Sequence, residues 1–173
     1  MSIMRNMLTD ASGPVVVSEK TMRALVAIRR DRLLPQIYEQ PIVMSASNFA
    51  AMSDVLPAAP DWLRVVDDAP RQELPSRCES ATPSEAATLR LAIALPASVV
   101  LIDGPIKERA KLSFIKCEGT LSVLVAAYRT GRLTAVQPMV KALRSLGHAD
   151  VLPDEVMLNA LWKALADLRD EEG

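Results

Sequence analysis

Three acidic residues stand where the chain leaves or enters a regular element. Glu19 directly follows Val-Val-Val-Ser, Asp103 directly follows Val-Val-Leu-Ile, and Glu85 falls in the first turn of the helix before the Asp103 strand. Ligands of open parallel sheets bind outside the carboxyl ends of the strands, and Glu19 and Asp103 fall at that edge. Carboxylates that converge repel one another unless a cation neutralises them. Oxygen-only ligation, with one or two carboxylates per ion, suits Mg²⁺ or Mn²⁺, above all where phosphate oxygens complete the shell. Such a metal orients a water and stabilises the leaving oxygen of a phosphodiester. Spacing alone leaves a second account open. An acid after a buried strand also serves as a turn former or a cap, and Glu85 is fully explained as a first-turn residue complementing the helix dipole.

The residues around these acids fit a phosphate-handling site. Lys107, Arg109 and Lys111 flank the Asp103 turn, where an RNA backbone would pass. Ser18 and Thr120 carry hydroxyls able to donate to a phosphate or to a metal-bound water, so Ser18, Lys107 and Thr120 are the candidate phosphate contacts. Thr120 also reads as the capping residue of its own helix. His148, the single histidine, follows Gly147 in a helix-ending turn and reads as solvated or carbonyl-bonded. Cys78 and Cys117 are too few for a disulfide framework, and with one histidine they cannot make a zinc site.

Those residues need a scaffold, and the composition supplies one. The chain has 173 residues, 50% hydrophobic and 24% charged, with a formal net charge of −1. That balance excludes a disordered chain and a nucleic-acid clamp working by bulk positive charge. Phe, Trp and Tyr occur only twice each, which excludes a base-stacking platform. No apolar run approaches the roughly 18 residues of a membrane span. Arg5 and Asp10 interrupt the N-terminus where a secretory signal needs an apolar block. The chain reads as cytoplasmic, with a flexible leader over 1–13, one domain over 14–168 and a frayed tail over 169–173.

Along that domain, apolar runs alternate with amphipathic segments. Strands are expected near 14–18, 42–44, 62–66, 99–102 and 114–117. Helices are expected after Ser18, after Ser45 or Ser47, after Thr82, before Ser113, from Gly119-Thr120 to Gly131, and twice more toward the end. Thr82-Pro83-Ser84-Glu85 combines a cap, a proline at the first helical position and an acid in the first turn. Residues 57–83 hold Pro57, Pro60, Pro70, Pro75 and Pro83 and form the least regular stretch. The order predicts a three-layer α/β/α sandwich around a central parallel sheet.

The same residues carry a resemblance. VVVSEKTMRALVAIRRDRLLPQIYEQPIVM is similar to the opening of a prokaryotic PIN-like family, in which a strand ends in Ser-Asp before a leucine-rich helix. PSEAATLRLAIAL resembles that family's Gly-Glu-Ala helix, with Ser84 in the glycine's place. VVLID matches its next strand, and CEGTLSVLVAAYRTGRLTAVQPMVKALRSLG matches its Gly-Thr-Leu turn and following helices. The resemblance runs from about Val15 to the last helix. It implies an α/β/α sandwich and, in active members, a Mg²⁺- or Mn²⁺-dependent ribonuclease, often a toxin held by an antitoxin.

Position by position, the resemblance implies Glu19, Glu85 and Asp103 as metal ligands and catalytic acids. Glu19 replaces an aspartate and is one methylene longer. Gly104 stands where a second acid often follows Asp103. The glutamate of the helix after the second strand falls near Phe49-Ala50, where there is no acid; Asp54 lies one turn beyond. Fewer carboxylates mean weaker metal binding and weaker activation of water. The expectation is therefore a PIN-fold protein with diminished or lost ribonuclease activity, the alternative being a non-catalytic module that binds RNA or a protein partner. An antitoxin-like protein and a second copy of the chain are the partners so implied. The apolar residues around Trp162 read by default as core packing, with a dimer patch as the alternative.

Overall fold

The computed structural model describes residues 13–172, so the expected leader lies outside the described residues except for Gly13. Five short strands, β1 (Val15–Val17), β2 (Ile42–Ser45), β3 (Leu63–Val66), β4 (Val99–Leu101) and β5 (Cys117–Glu118), pair in parallel in the order β3-β2-β1-β4-β5. Helices α1 (Glu19–Ala27) and α2 (Leu33–Ile37) join β1 to β2, and α3 (Ala46–Ala51) follows β2. Helix α4 (Pro83–Ala94) precedes β4, and α5 (Pro105–Leu112) precedes β5. The chain closes with α6 (Thr120–Arg129), α7 (Gln137–Ser145) and α8 (Glu155–Glu172).

The central strands β1 and β4 read as unbroken apolar runs because both faces of the sheet are covered there, whereas the edge strand β3 carries an exposed Arg64 and Val65. Val15, Val17, Ile42, Met44, Val99 and Leu101 face a core that also contains Leu25, Leu34, Leu124, Leu143 and Leu158. Val16, Val43, Val100 and Ile102 face the other way, against Leu89, Leu91, Ile106 and Cys117. Period-2 alternation therefore divides six central side chains of β1 and β4 between two cores. This is the three-layer α/β/α sandwich expected from the order of elements. Among the described residues, no helix is long and apolar enough to cross a membrane.

Three local expectations are corrected. The strand near 114–117 shrinks to Cys117–Glu118, because the amides of Ser113, Phe114 and Ile115 bond back to α5 carbonyls and Phe114 takes φ +65°. Thr120 does not cap α6: Gly119 holds that position without a side chain, and the Thr120 hydroxyl points to Asp103. Helix α8 continues to Glu172, past the expected boundary at 168, and Arg169 donates from it to the Tyr128 hydroxyl at 3.3 Å. The α4 entry keeps its expected form, with Thr82 as cap, Pro83 in the first turn and a reciprocal Thr82–Glu85 capping box.

Candidate functional site

The strand order reverses between β1 and β4, the neighbours that begin the two halves of the sheet. At such a switch point the loops leaving adjacent strands diverge and open a crevice. Glu19 begins α1 directly beyond β1, and Asp103 lies two residues beyond β4. A cleft of about 390 Å³ opens there, with Glu19, Arg23, Glu85, Asp103 and His148 on its walls. The three acids singled out in the sequence thus line one cleft, although residues 19, 85 and 103 lie far apart along the chain.

Asp103 is only 3% exposed, and its carboxylate is held by donors from two other segments. Thr21 and Thr120 each donate a hydroxyl to Oδ2 at 2.6 Å. The Thr120 amide lies 3.0 Å from Oδ1 and 3.2 Å from Oδ2. Charge-assisted bonds of this kind are the strong ones, and they satisfy a buried carboxylate from within the protein. Ser18, the α1 cap, donates to Thr21 Oγ1 at 3.0 Å and accepts the Thr21 amide, which orients the Thr21 hydroxyl toward Asp103. Gly119 leaves room for this arrangement. A Cβ there would stand 2.5 Å from Asp103 Oδ1 and 3.3 Å from Lys107 Nζ.

Glu19 is engaged on both oxygens. Arg23, one turn along α1, donates from Nε to Oε1 at 3.0 Å, and the Ser84 hydroxyl, whose one proton is shared with a second acceptor, lies 3.1 Å from Oε2. The same guanidinium reaches Asp54 from Nη1 and Nη2, both at 3.1 Å, and gives Nη2 to the Ala51 carbonyl at 2.7 Å. The bonds to Asp54, and after them those to Glu19, hold the Arg23 guanidinium above its ordinary pKa. Arg23 in turn holds the Asp54 carboxyl below the usual carboxylate range.

Across the cleft, Ser84 also sits 2.9 Å from Asn48 Oδ1. Asn48 is buried in α3 and donates to Thr88 Oγ1 at 2.9 Å and to the Ser84 carbonyl at 3.1 Å. The residue of α3 that faces the cleft network is therefore Asn48, whereas Ala50 is exposed and Phe49 packs on the core.

Glu85 lines the cleft but gives Oε1 to the Thr82 amide at 2.9 Å, so its capping role is real. Ser18 and Thr120 are corrected as phosphate contacts: both are buried and spend their hydroxyl protons on Thr21 and Asp103. Lys107 is half-buried beside Gly119 and forms no ion pair among the described residues. Gly104 has φ +90° and ψ −177°, a backbone region open essentially to glycine alone. Any side chain at residue 104 would have to be carried on that strained backbone.

His148, expected in a helix-ending turn, lies in the turn after α7 and on the cleft wall, whereas Arg23 and Asn48 are residues that sequence reasoning missed. The i,i+4 spacing of Glu19 and Arg23 was the one available signal.

An open, five-stranded, wholly parallel sheet between helical layers, with acids beyond its central strands, defines a doubly covered α/β domain with its cleft at the switch point. A family model described as a PIN domain matches residues 16–163, and the chain belongs to that family. No curated protein and no solved structure matches it. PIN domains are usually a nuclease fold and generally use divalent metals.

The residues present here do not fit such an ion. Mg²⁺ and Mn²⁺ are held by one or two carboxylates with water and phosphate oxygens completing the shell, and those carboxylates need oxygens that are not already neutralised. Here Glu19 is shared between a guanidinium and a hydroxyl, Asp103 Oδ2 carries two hydroxyls, Glu85 Oε1 caps its helix and residue 104 can contribute nothing. Among the described residues, no group of three His, Cys, Asp or Glu side chains is disposed to hold a metal.

Proposed function

We propose that this chain is a PIN-fold protein of the metal-dependent ribonuclease type, including the toxin–antitoxin kind, in which cleavage is lost or strongly weakened. One observation carries the reading. Glu19, the counterpart of the family's first-strand aspartate, has both oxygens engaged, one of them by the guanidinium of Arg23. A carboxylate already neutralised inside the protein attracts a second cation weakly. The glycine-only backbone at Gly104 and the neutral Asn48 in α3 support the same conclusion.

The reading is tested by incubating a mixed RNA pool with the protein in Mn²⁺, beside Asp103→Asn. Background cleavage by both is expected. Strong cleavage by the natural chain that disappears in Asp103→Asn would overturn the reading.

A second reading, a module that binds a protein partner, draws on a separate observation. Next to Asp103 a groove of about 730 Å³ runs between α5, α6 and α8, floored by Leu121, Val125, Leu152 and Leu161 and flanked by Lys107 and Arg129. Grooves of this shape and polarity accept an amphipathic helix. An antitoxin-like segment seated there would cover the cleft mouth. Co-purification of a small partner whose binding is lost in Val125→Asp is the corresponding test.

A further inference from the structure

We propose that Arg23 is a tethered counter-cation that occupies the place of a metal ion in this PIN domain and keeps divalent cations out. The inference deepens the functional reading above and rests on it. The geometry around Arg23 is that of a cation site with an occupant. Carboxylates from two separate segments, Glu19 at the start of α1 and Asp54 beyond α3, converge on one group together with the Ala51 carbonyl. Those are hard oxygen donors of the kind Mg²⁺ and Mn²⁺ select. The group seated among them is itself a cation. It spends four hydrogen bonds there, at 3.0, 3.1, 3.1 and 2.7 Å, out of the five N–H donors that a guanidinium has.

The charge arithmetic separates this arrangement from an ordinary surface pair. Two carboxylates face one guanidinium, so the cluster is electrically one short of the neutrality that a divalent ion would give. Arg23 reaches it from within α1, anchored by the α1 backbone, and needs no metal in solution. Two ammonium groups lie instead around the loops beside Asp103. Lys20 Nζ stands 3.8 Å from where a Cβ on Gly104 would be, and Lys107 Nζ lies against Gly119 beside Asp103. Lys20 is itself paired with Asp150 at 3.3 Å. Built-in positive charge therefore stands at Glu19, through Arg23, and near Asp103, through Lys107.

The test replaces the guanidinium and keeps the stem. Arg23→Met should bind Mn²⁺ at least about 10-fold more tightly than the natural chain, since it removes a competing cation within hydrogen-bond distance of both carboxylates. The gain should vanish in Arg23→Met with Glu19→Gln. Arg23→Lys, which keeps the charge but not the fork, should stay near the natural chain. Affinity is read by calorimetric titration with MnCl₂ and no RNA present, so the result is independent of whether the protein cuts RNA. The proposal is overturned if folded Arg23→Met binds Mn²⁺ no more tightly than the natural chain. It is equally overturned if Mn²⁺ raises the melting temperature of the natural chain and Glu19→Gln abolishes that rise. Should Arg23→Met fail to fold in EDTA, recovery of its circular dichroism in Mn²⁺ supports the proposal, and no recovery refutes it.

Discussion

Gly119→Ala is a one-carbon change whose cost follows from the geometry around Asp103. The Gly119 backbone is extended, at φ −117° and ψ −175°, so alanine meets no torsional penalty. Its Cβ, however, would stand 2.5 Å from Asp103 Oδ1, where real Cβ contacts below 3.0 Å are essentially never seen. The carboxylate has to retreat by about half an ångström or more. It is 3% exposed and held by the Thr21 and Thr120 hydroxyls at 2.6 Å and by the Thr120 amide, so retreat lengthens at least one charge-assisted bond. A hydrogen bond to a charged group is worth about 1.5–3 kcal/mol. The other close neighbour, Lys107 Nζ at 3.3 Å, is the end of a flexible chain and moves at little cost.

Loss of about 2–3 kcal/mol is expected, which in a domain of this size lowers the melting temperature by about 4–12 °C. Urea unfolding followed by circular dichroism measures it. The same substitution in an Asp103→Ala background, where no Oδ1 remains to collide with, should cost almost nothing extra. Stability of Gly119→Ala within about 0.5 kcal/mol of the natural chain, an ordinary margin for a neutral change, would refute the reasoning. So would an undiminished cost without Asp103.

Other expectations follow from the same network. Gly104→Asp should cost about 1–3 kcal/mol from backbone strain alone and create no metal affinity; a stable variant that binds Mn²⁺ in calorimetry would contradict the glycine-only assignment. Thr82→Ala should cost about 1 kcal/mol through the lost cap, whereas Glu85→Gln, which can still accept the Thr82 amide, should leave the melting temperature unchanged; the reverse order would deny Glu85 its capping role. Burial pushes the Cys117 thiol from 9.0 up to about 12, and burial likewise raises Tyr38. Because the folded values exceed the unfolded ones, this stabilisation is complete below pH 9 and is lost as pH climbs toward 12. Cys117→Ala should therefore soften the alkaline fall in the urea midpoint, and an unchanged slope would argue against the assignment.

Elements defined by local chemistry are legible in the amino-acid sequence. Val15–Val17 and Val99–Leu101 announce themselves because a strand covered on both faces has no polar alternate. The Thr82-Pro83-Ser84-Glu85 entry is equally plain, because capping is decided within four residues. The segment before β5 misleads for a related reason: Phe114 and Ile115 look like strand, yet their amides close the end of α5. The PIN-type acids are legible as positions, because Glu19 and Asp103 follow strands whose ends can be read and Glu85 belongs to a capping box. What they do in this chain is not. Whether Glu19 is free depends on Ser84, 65 residues on, and on an arginine that also grips Asp54. Asn48 carries no local sign that it, rather than Ala50, faces the cleft. Those facts are set by how α1, α3 and α4 pack, and pairings between distant segments leave no periodicity to read.

The central place of β1 has a consequence for how the chain is made. Val15–Val17 pairs with β2 on one side and with β4 on the other. During synthesis the first partner arrives within some thirty residues, but the second must wait for Val99–Leu101. Until then β1 is a bare, wholly apolar sheet margin, the kind of surface on which nascent chains misjoin. The Thr21–Asp103 bond closes a loop of 82 residues, and the entropy of such closures makes them late. Among the described strands, the two that frame the cleft are thus the first and the fourth in order of synthesis. A chain stalled or clipped between them has no cleft at all, only an open edge that chaperones must shield.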